Sequence, residues 1–191
     1  MSAKLLQKIV DNFQTAIILH AEIASTMRFI ALNGLAMLHE YQYVSEAHEM
    51  RLVKKYAIES YGIYIKDSIP ESANLAMPLL DGKNRTELSQ KETIDILQKA
   101  WAAYIDWEAK TLKLYSTVAI DLFNDGDIAA FNLVSEIVSD VRKELTMATG
   151  VMIEFTSHGF DMSQVIADDR DIEEKYREKL NELELGRALI G

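Results

Sequence analysis

The sequence of 191 residues contains no cysteine, two prolines and eight glycines. The absence of cysteine excludes disulfides, thiolate metal sites and a cysteine nucleophile, and it is typical of a cytoplasmic protein. The scarcity of proline and glycine favours regular structure, and helices in particular. The length predicts one domain with a sizeable core.

Long apolar runs and an excess of basic residues are also missing. No run approaches the roughly 18 residues of a membrane span, and the amino-terminal stretch has no apolar segment with a small-residue cleavage site, so no signal peptide is predicted. Lys and Arg number 20 against 30 Asp and Glu, which gives a net charge of −10. This balance disfavours nucleic acid as a partner and is compatible with attracting cations, although it can also serve solubility alone.

Apolar residues recur with a helical period in four long segments. The first two predict helices over residues 3–32 and 35–66, with Asn33-Gly34 as the tight turn between them. A connection this short makes the two helices antiparallel neighbours. Both prolines fall in the next segment, residues 67–88, which is long for a helix–helix loop. A link of this length can run along a whole bundle, so it allows helices two and three to be parallel.

The third and fourth segments have their own start signals. Ser89-Gln90-Lys91-Glu92 has the pattern of a capping box and opens a helix predicted to end near Phe123. Asp127 is the predicted N-cap of the fourth helix, which ends near Phe155. A last amphipathic helix is predicted over residues 163–184.

Together these patterns predict an all-α protein. Residues 1–158 form a four-helix bundle with one long crossover between helices two and three, and residues 159–191 form an extension with a short C-terminal helix. The first helix is apolar on two sides, since Ile18 and Phe29 lie opposite the stripe that holds Ile9. A helix that packs on two sides predicts a subunit interface as well as a core, and hence a homo-oligomer.

Ionisable side chains occupy the centre of each predicted core stripe. Burying carboxylates without partners costs several kcal/mol, so this placement calls for a compensating charge. Counting from the turns at about 1.5 Å per residue places the following groups at matched depth on the four helices: His20, Glu46 with Glu49, Glu108, and Asp140 with Glu144. Carboxylates with an imidazole suit iron or manganese, and bridging carboxylates can hold two ions. The alternative is that these side chains only hydrogen-bond one another.

These residues resemble the ferritin-like superfamily. In that group a four-helix bundle with one long crossover carries carboxylates and Glu-x-x-His motifs inward to a two-metal centre. The stretch LNGLAMLHEYQYVSEAHEMRLVKKY, residues 32–56, looks like a ferritin second helix. The stretch WEAKTLKLYSTVAIDLFNDGD, residues 107–127, looks like a ferritin third helix and its turn. The resemblance covers roughly residues 5–157, mostly as architecture and spacing.

The second and third helices match the family motif in part. Glu108 takes the position of the third-helix glutamate, and Glu46 takes the glutamate position of Glu-x-x-His. Glu49 stands where that motif has its histidine. A shift of one residue would pair Ser45 with His48, which loses the glutamate and turns His48 away from the core, so we prefer Glu46 and Glu49.

The first and fourth helices depart further from the pattern. The family has a glutamate on the first helix, but Glu22 falls on the polar strip of this helix while His20 faces inward. Asp140 and Glu144 fall near the acidic positions of the fourth helix without a clean motif. The histidine-rich signature of the DNA-protecting branch is not recognisable, although His39 keeps a trace of it.

The resemblance implies binding of Fe(II) and its oxidation by dioxygen or peroxide at a dinuclear site, with manganese as the alternative metal. Storage would further require assembly into a hollow cage. Glu46, Glu108 and Tyr104 are the expected reactive residues, and Tyr104 or Tyr115 would supply a hydrogen bond or an electron. The expected ligands are His20, Glu46, Glu49, Glu108, Asp140 and Glu144. Two alternatives stay open: a ferritin-like oxidase acting on a small organic substrate, and a metal-free structural bundle.

Overall fold

The computed structural model of the chain describes residues 2–67, 80 and 82–190, and for residues 184–190 it describes the backbone alone. The described residues are almost entirely helical, which confirms the all-α prediction. The helices are α1 (Ser2–Phe29), α2 (Asn33–Tyr61), α3 (Gln90–Asn124), α4 (Ile128–Ser157) and α5 (Met162–Ile190), with a 3-10 turn at Arg85–Glu87. None of the described helices is long and apolar enough to cross a membrane.

Two apolar clusters, one at each end of the bundle, show in which direction each helix runs. The first cluster joins the later halves of α1 and α4 to the earlier halves of α2 and α3, around Trp101 and Phe155. The second joins the opposite halves of the same four helices, around Phe13 and Tyr115. Therefore α1 is antiparallel to α2, α3 is antiparallel to α4, and α2 runs parallel to α3, which the long crossover allows. Both prolines of that crossover lie outside the described residues.

The predicted start signals of α3 and α4 are confirmed. The Ser89 hydroxyl accepts a hydrogen bond from the Glu92 backbone N–H at 3.3 Å, and the Glu92 carboxylate accepts one from the Ser89 backbone N–H at 2.9 Å. Asp127 accepts a hydrogen bond from the Ala130 backbone N–H at 3.1 Å. These caps satisfy backbone donors that a helix start would otherwise leave unpaired, and they stabilise each helix by about 1 kcal/mol.

Two predicted helix boundaries are wrong. Asn33 and Gly34 do not form the first turn but begin α2, and the turn comes earlier, with Ala31 in the left-handed region at φ 65°. The second helix ends at Tyr61 and not at residue 66, because Gly62 adopts φ 65° and donates its N–H to the Ile58 carbonyl. A glycine in this conformation is a common helix terminator.

The C-terminal helix α5 lies along α2. Asp169 accepts a hydrogen bond from the Leu35 backbone N–H at 2.8 Å, so α5 supplies a cap for the start of α2. Val165 and Tyr176 join the first apolar cluster. Gly34 is required here, because a Cβ at this position would lie 1.8 Å from the Asp169 carbonyl oxygen. The first two turns of α2 are therefore fixed from outside the four-helix body.

Candidate metal centre

A layer of polar side chains separates the two apolar clusters at the middle of the bundle. On α2, residues 39, 42, 46 and 49 follow the spacing of one helix face, so they all turn toward the same neighbours. The other three helices contribute one or two residues each. We call the following set the polar layer: His20, His39, Gln42, Glu46, Glu49, Tyr104, Glu108 and Glu144.

His20 lies between two carboxyl groups of the layer. Its Nε2 atom is 3.8 Å from Glu108 Oε1 and 3.9 Å from Glu46 Oε1. His20 is fully buried, and Glu108 and Glu46 are 1% and 6% exposed. Three helices therefore place an imidazole and two carboxyl groups around one point, as the counting of depths predicts.

The carboxyl groups of the layer disfavour one another's ionisation, because their negative charges would repel. Burial raises the pKa of Glu46 and of Glu108 well above the usual value, and nearby carboxyl groups, Glu144 first, raise both further. Burial, with Glu144 and Asp140, raises the pKa of Glu49 to about 8. Burial and Asp140 raise the pKa of Glu144 to about 7, against a hydrogen bond from Gln42 and the charge of Lys179. Without a bound cation, we expect most carboxyl groups of the polar layer to be protonated.

Burial also keeps the imidazoles neutral. It lowers the pKa of His20 to about 3, and it lowers that of His39 well below the usual range, with His20 adding to the effect. The adjacent carboxyl groups would raise the pKa of His20 if they were ionised, but burial raises their own pKa values and so weakens this effect. A neutral imidazole with a free Nε2 is the form that binds metals.

Several polar atoms of the layer are buried without a hydrogen-bond partner: His20 Nε2, His39 Nε2, Gln42 Oε1, Glu46 Oε2 and both carboxyl oxygens of Glu108. Each such atom costs about 1–3 kcal/mol of stability. A divalent cation would offset this cost, since carboxylates and imidazole are the ligands that iron and manganese accept. The residues present therefore fit a metal centre.

Sequence reasoning missed two members of the layer. His39 is fully buried, and its Nδ1 atom lies 2.9 Å from the Nδ1 atom of His20. Gln42 donates a hydrogen bond to the Tyr104 hydroxyl. Both residues share the helix face of Glu46, at spacings of seven and four residues. The helix period therefore places both residues on the core side of α2, which is the signal in the sequence that could have identified them.

The other residues considered in the sequence analysis differ in how deeply they are buried. Tyr104 and Tyr115 are fully buried, and the Tyr115 hydroxyl has no hydrogen-bond partner. Asp140 is half-buried and accepts a hydrogen bond from Lys143 at 2.7 Å, so it is partly committed to a surface ion pair. His48 and Glu22 are exposed, as the helix periodicity predicts.

A groove of about 230 Å³ opens between α2 and α4 beside the layer. Its lining includes the half-buried Glu49 and Asp140 together with the exposed His48 and Glu136. Three of these four groups are acidic. The groove thus connects solvent with the carboxyl groups at one side of the layer.

A second group of ligand-type side chains lies near the turn between α4 and α5, with Glu154 and His158 exposed and Asp168 half-buried. Glu154, His158 and Asp168 hold their candidate ligand atoms all within 4.8 Å of one another, and they are the only such trio among the described residues. The polar layer is more open, because no three of its ligand atoms are all that close together.

No protein-family model matches the sequence, and the comparison with curated proteins gives no significant match. Solved structures do match.

An open-pore ferritin from the hyperthermophilic archaeon Archaeoglobus fulgidus superposes with a TM-score of 0.71 at 14% identity, over 90% of this chain and 95% of that one. An engineered closed form of the same ferritin gives a TM-score of 0.70 at 14% identity, over 90% and 94% of the two chains. A humanized archaeal ferritin gives 0.71 at 15% identity, over 90% and 94%. At sequence identities this low, the matches show that the chains share a fold. The chemistry of this protein must be argued from the residues of its own site. The chain has a ferritin-like fold.

Proposed function

We propose that the protein binds Fe(II) in the polar layer and promotes its oxidation by dioxygen or peroxide. The observation that carries this proposal is the set of buried carboxyl oxygens on Glu46 and Glu108 that lack hydrogen-bond partners beside His20 Nε2. A purely structural core gains nothing from such groups, because apolar residues of similar volume would be as stable or more stable there. The similarity to archaeal ferritins supports the choice of iron.

In this proposal His20, Glu46, Glu49, Glu108 and Glu144 are the ligands, and Fe(II) is the substrate. Two Fe(II) ions would supply two electrons, which together with two protons from solvent would reduce one dioxygen to hydrogen peroxide and leave two Fe(III). The carboxylates favour the product, because their negative charge stabilises Fe(III) more than Fe(II). Tyr104, whose hydroxyl accepts a hydrogen bond from Gln42, would donate a hydrogen bond or an electron. Since the layer is open, cation binding would draw its carboxyl groups closer together.

The groove between α2 and α4 is the proposed route for the cation. A buried metal site requires such a path. Glu136 and Asp140 would attract the ion from solvent, and Glu49 would receive it at the edge of the layer. Asp140 therefore acts in transfer rather than as a central ligand, which fits its partial exposure and its ion pair with Lys143.

Anaerobic Fe(II) loading tests the proposal. The measurement is iron bound per chain by plasma mass spectrometry, followed by the rate of dioxygen consumption. We expect about two Fe(II) per chain for the native layer. The double variant Glu46→Gln/Glu108→Gln should lose this uptake, and the exposed Glu22→Gln should keep it. All samples carry His158→Ala, so that the trio near the turn between α4 and α5 does not contribute.

Two results separate the possible outcomes. Many more irons per chain after aerobic loading, in a large hollow assembly by sedimentation, would extend the proposal to storage by a homo-oligomer. Absence of Fe(II) uptake, or equal uptake by the double variant, would overturn it. Circular dichroism of each variant verifies that a loss of uptake is not a loss of the helical fold.

A further inference from the structure

The two buried histidines meet through their Nδ1 atoms, 2.9 Å apart, with both side chains fully buried. Their rings stack at a centroid distance of 5.2 Å and an angle of 28°. Two neutral imidazoles at this separation share one proton, because one Nδ1 must carry the hydrogen and the other must accept it. The hydrogen bond can therefore run in either of two directions.

The direction of this hydrogen bond decides the state of His20 Nε2. If His20 donates through Nδ1–H, its Nε2 is bare, and the lone pair is available beside Glu46 and Glu108. If His39 donates instead, His20 carries its hydrogen on Nε2 and cannot bind a metal ion. Neither carboxyl group is close enough to His20 Nε2 to accept a hydrogen bond from it, since the distances are 3.8 and 3.9 Å.

We propose that His39 is a positioning residue that accepts the Nδ1 hydrogen of His20 and so keeps the Nε2 lone pair of His20 available for the metal ion. The inference rests on the proposed function, namely that the polar layer binds a metal. In known sites a ligating histidine donates its second N–H to a carboxylate, a backbone carbonyl or water, and that partner sets its tautomer and orientation. Here a second imidazole occupies the place of the acceptor.

The surroundings of His39 suit a fixed acceptor. The rings of Trp101 and Tyr104 lie nearly perpendicular to the His39 ring, at centroid distances of 5.5 and 4.6 Å. Trp101 is itself fixed, because its indole N–H donates to the Ala148 carbonyl at 2.8 Å. These contacts leave the His39 ring little freedom to turn away from His20.

The metal ion would select the direction of the hydrogen bond. When His39 accepts at Nδ1, its own hydrogen sits on Nε2, which is buried without a partner. In the opposite direction the hydrogen sits on His20 Nε2, which is also buried without a partner, so the two directions compete in the metal-free protein. A bound cation needs a bare His20 Nε2, so it should shift the pair fully to the form in which His20 donates.

The test compares Zn(II) binding to native protein, His39→Asn and His39→Leu, all with His158→Ala. Asparagine can place an acceptor oxygen where Nδ1 lies, whereas leucine keeps the apolar volume and removes the acceptor. We expect His39→Leu to weaken Zn(II) binding about 10- to 100-fold by calorimetry, and His39→Asn to stay close to native. The exposed Glu22→Gln lies outside both the polar layer and the groove, so it is the control and should not change the affinity.

Nitrogen NMR of the imidazoles supplies a readout that a merely structural role would not move. The chain has only four histidines, and substituting His158 leaves three to assign. In Zn(II)-loaded native protein we expect His20 to be protonated at Nδ1 and metal-bound at Nε2. In metal-free His39→Leu the fraction of His20 protonated at Nδ1 should fall. Thermal unfolding of each variant verifies that it is folded.

Three results would overturn the inference while leaving the proposed function intact: native affinity in His39→Leu, equally weak binding by His39→Asn and His39→Leu, or a protonated Nε2 on His20 in the loaded protein. A folded native protein that takes up neither Zn(II) nor Fe(II) would instead overturn the proposed function, and the role of His39 with it.

Discussion

At the residue scale, Glu108 is the clearest case of a side chain that lowers the stability of the metal-free protein and is needed for metal binding. It is 1% exposed, and neither of its carboxyl oxygens has a hydrogen-bond partner. We expect Glu108→Met to raise the free energy of unfolding of the metal-free protein by about 1–3 kcal/mol, because an unpaired buried group is removed and the volume is roughly kept. The same change should abolish Fe(II) binding. Urea unfolding and an anaerobic Fe(II) titration measure the two effects.

The proposed role of Glu108 requires that Glu108→Met increase the free energy of unfolding and at the same time lose Fe(II) binding. The exposed Glu22→Gln should change neither quantity. A Glu108→Met protein that is both less stable and unable to bind Fe(II) would mean that the carboxyl group supports the fold without a metal.

Helix periodicity predicts which residues of the polar layer face inward, but it does not predict which of them contact one another. Periodicity turns His20, Glu46 and Glu108 toward a common centre, because it depends on each helix alone. The contact between His20 and His39 depends on how α1 and α2 approach each other across their hairpin. No pattern within either helix contains that information, so the contact between the two histidines was found only in the structure.

At the element scale, Gly34 and Gly150 make a matched pair for testing how α5 is attached. Both are helical, but a Cβ on Gly34 would lie 1.8 Å from the Asp169 carbonyl oxygen, whereas a Cβ on Gly150 would meet nothing within 4 Å. We expect Gly34→Ala to lower the free energy of unfolding by about 1–3 kcal/mol, because α5 must move to make room. Gly150→Ala should raise it by about 0.5–1 kcal/mol, since alanine is the better helix former.

Urea unfolding measures both variants, and limited proteolysis reports on α5 separately. Faster cleavage within α5 in Gly34→Ala, with the four-helix body intact, is the expected pattern. Equal stability of Gly34→Ala and native protein would show that the close approach of α5 to α2 is not maintained in solution.

Helix starts could be predicted where the capping residue is a neighbour in sequence, and not where it comes from a distant part of the chain. The capping box at Ser89 and the N-cap at Asp127 lie within a few residues of the groups they bond, so the sequence alone identifies them. The start of α2 is capped by Asp169, which is 134 positions away along the chain. Asn33-Gly34 resembles a turn, but its glycine serves the approach of α5, and Ala31 makes the turn instead.

At the scale of the whole molecule, the connection lengths were enough to predict part of the arrangement of the bundle. The short link makes α1 and α2 antiparallel, whereas the long link only allows α2 and α3 to be parallel, and the apolar clusters of the structure show that they are. The electrostatic coupling of the layer could not be predicted in this way. It depends on the depth of burial and on distances among carboxyl groups from three helices, which exist only once the bundle is assembled.

That coupling links the stability of the metal-free bundle to pH. Glu49 and Glu144 have pKa values raised from 4.5 to about 8 and about 7, by burial first and then by neighbouring carboxyl groups. A group with a higher pKa in the folded state stabilises the fold fully below its unfolded pKa, and this stabilisation is lost as the pH rises through its folded pKa. The buried histidines have lowered pKa values and act in the opposite sense, but only below about their usual 6.5.

As the pH rises above 6.5 the unfolded histidines lose their protons and become neutral, as the folded ones already are, so the carboxyl groups dominate the slope between pH 6.5 and 8. We expect the free energy of unfolding of the metal-free protein to fall across this range in urea titrations. Saturating Mn(II) should flatten or reverse the slope, because a cation displaces the protons and stabilises the ionised layer. Glu49→Gln/Glu144→Gln should make the slope shallower without metal, since neither replacement titrates, and Glu46 and Glu108 should account for the slope that is left. A native protein whose stability is constant or rises over this range would mean that the carboxyl groups are already ionised at pH 6.5, with their charge compensated by groups other than a bound cation.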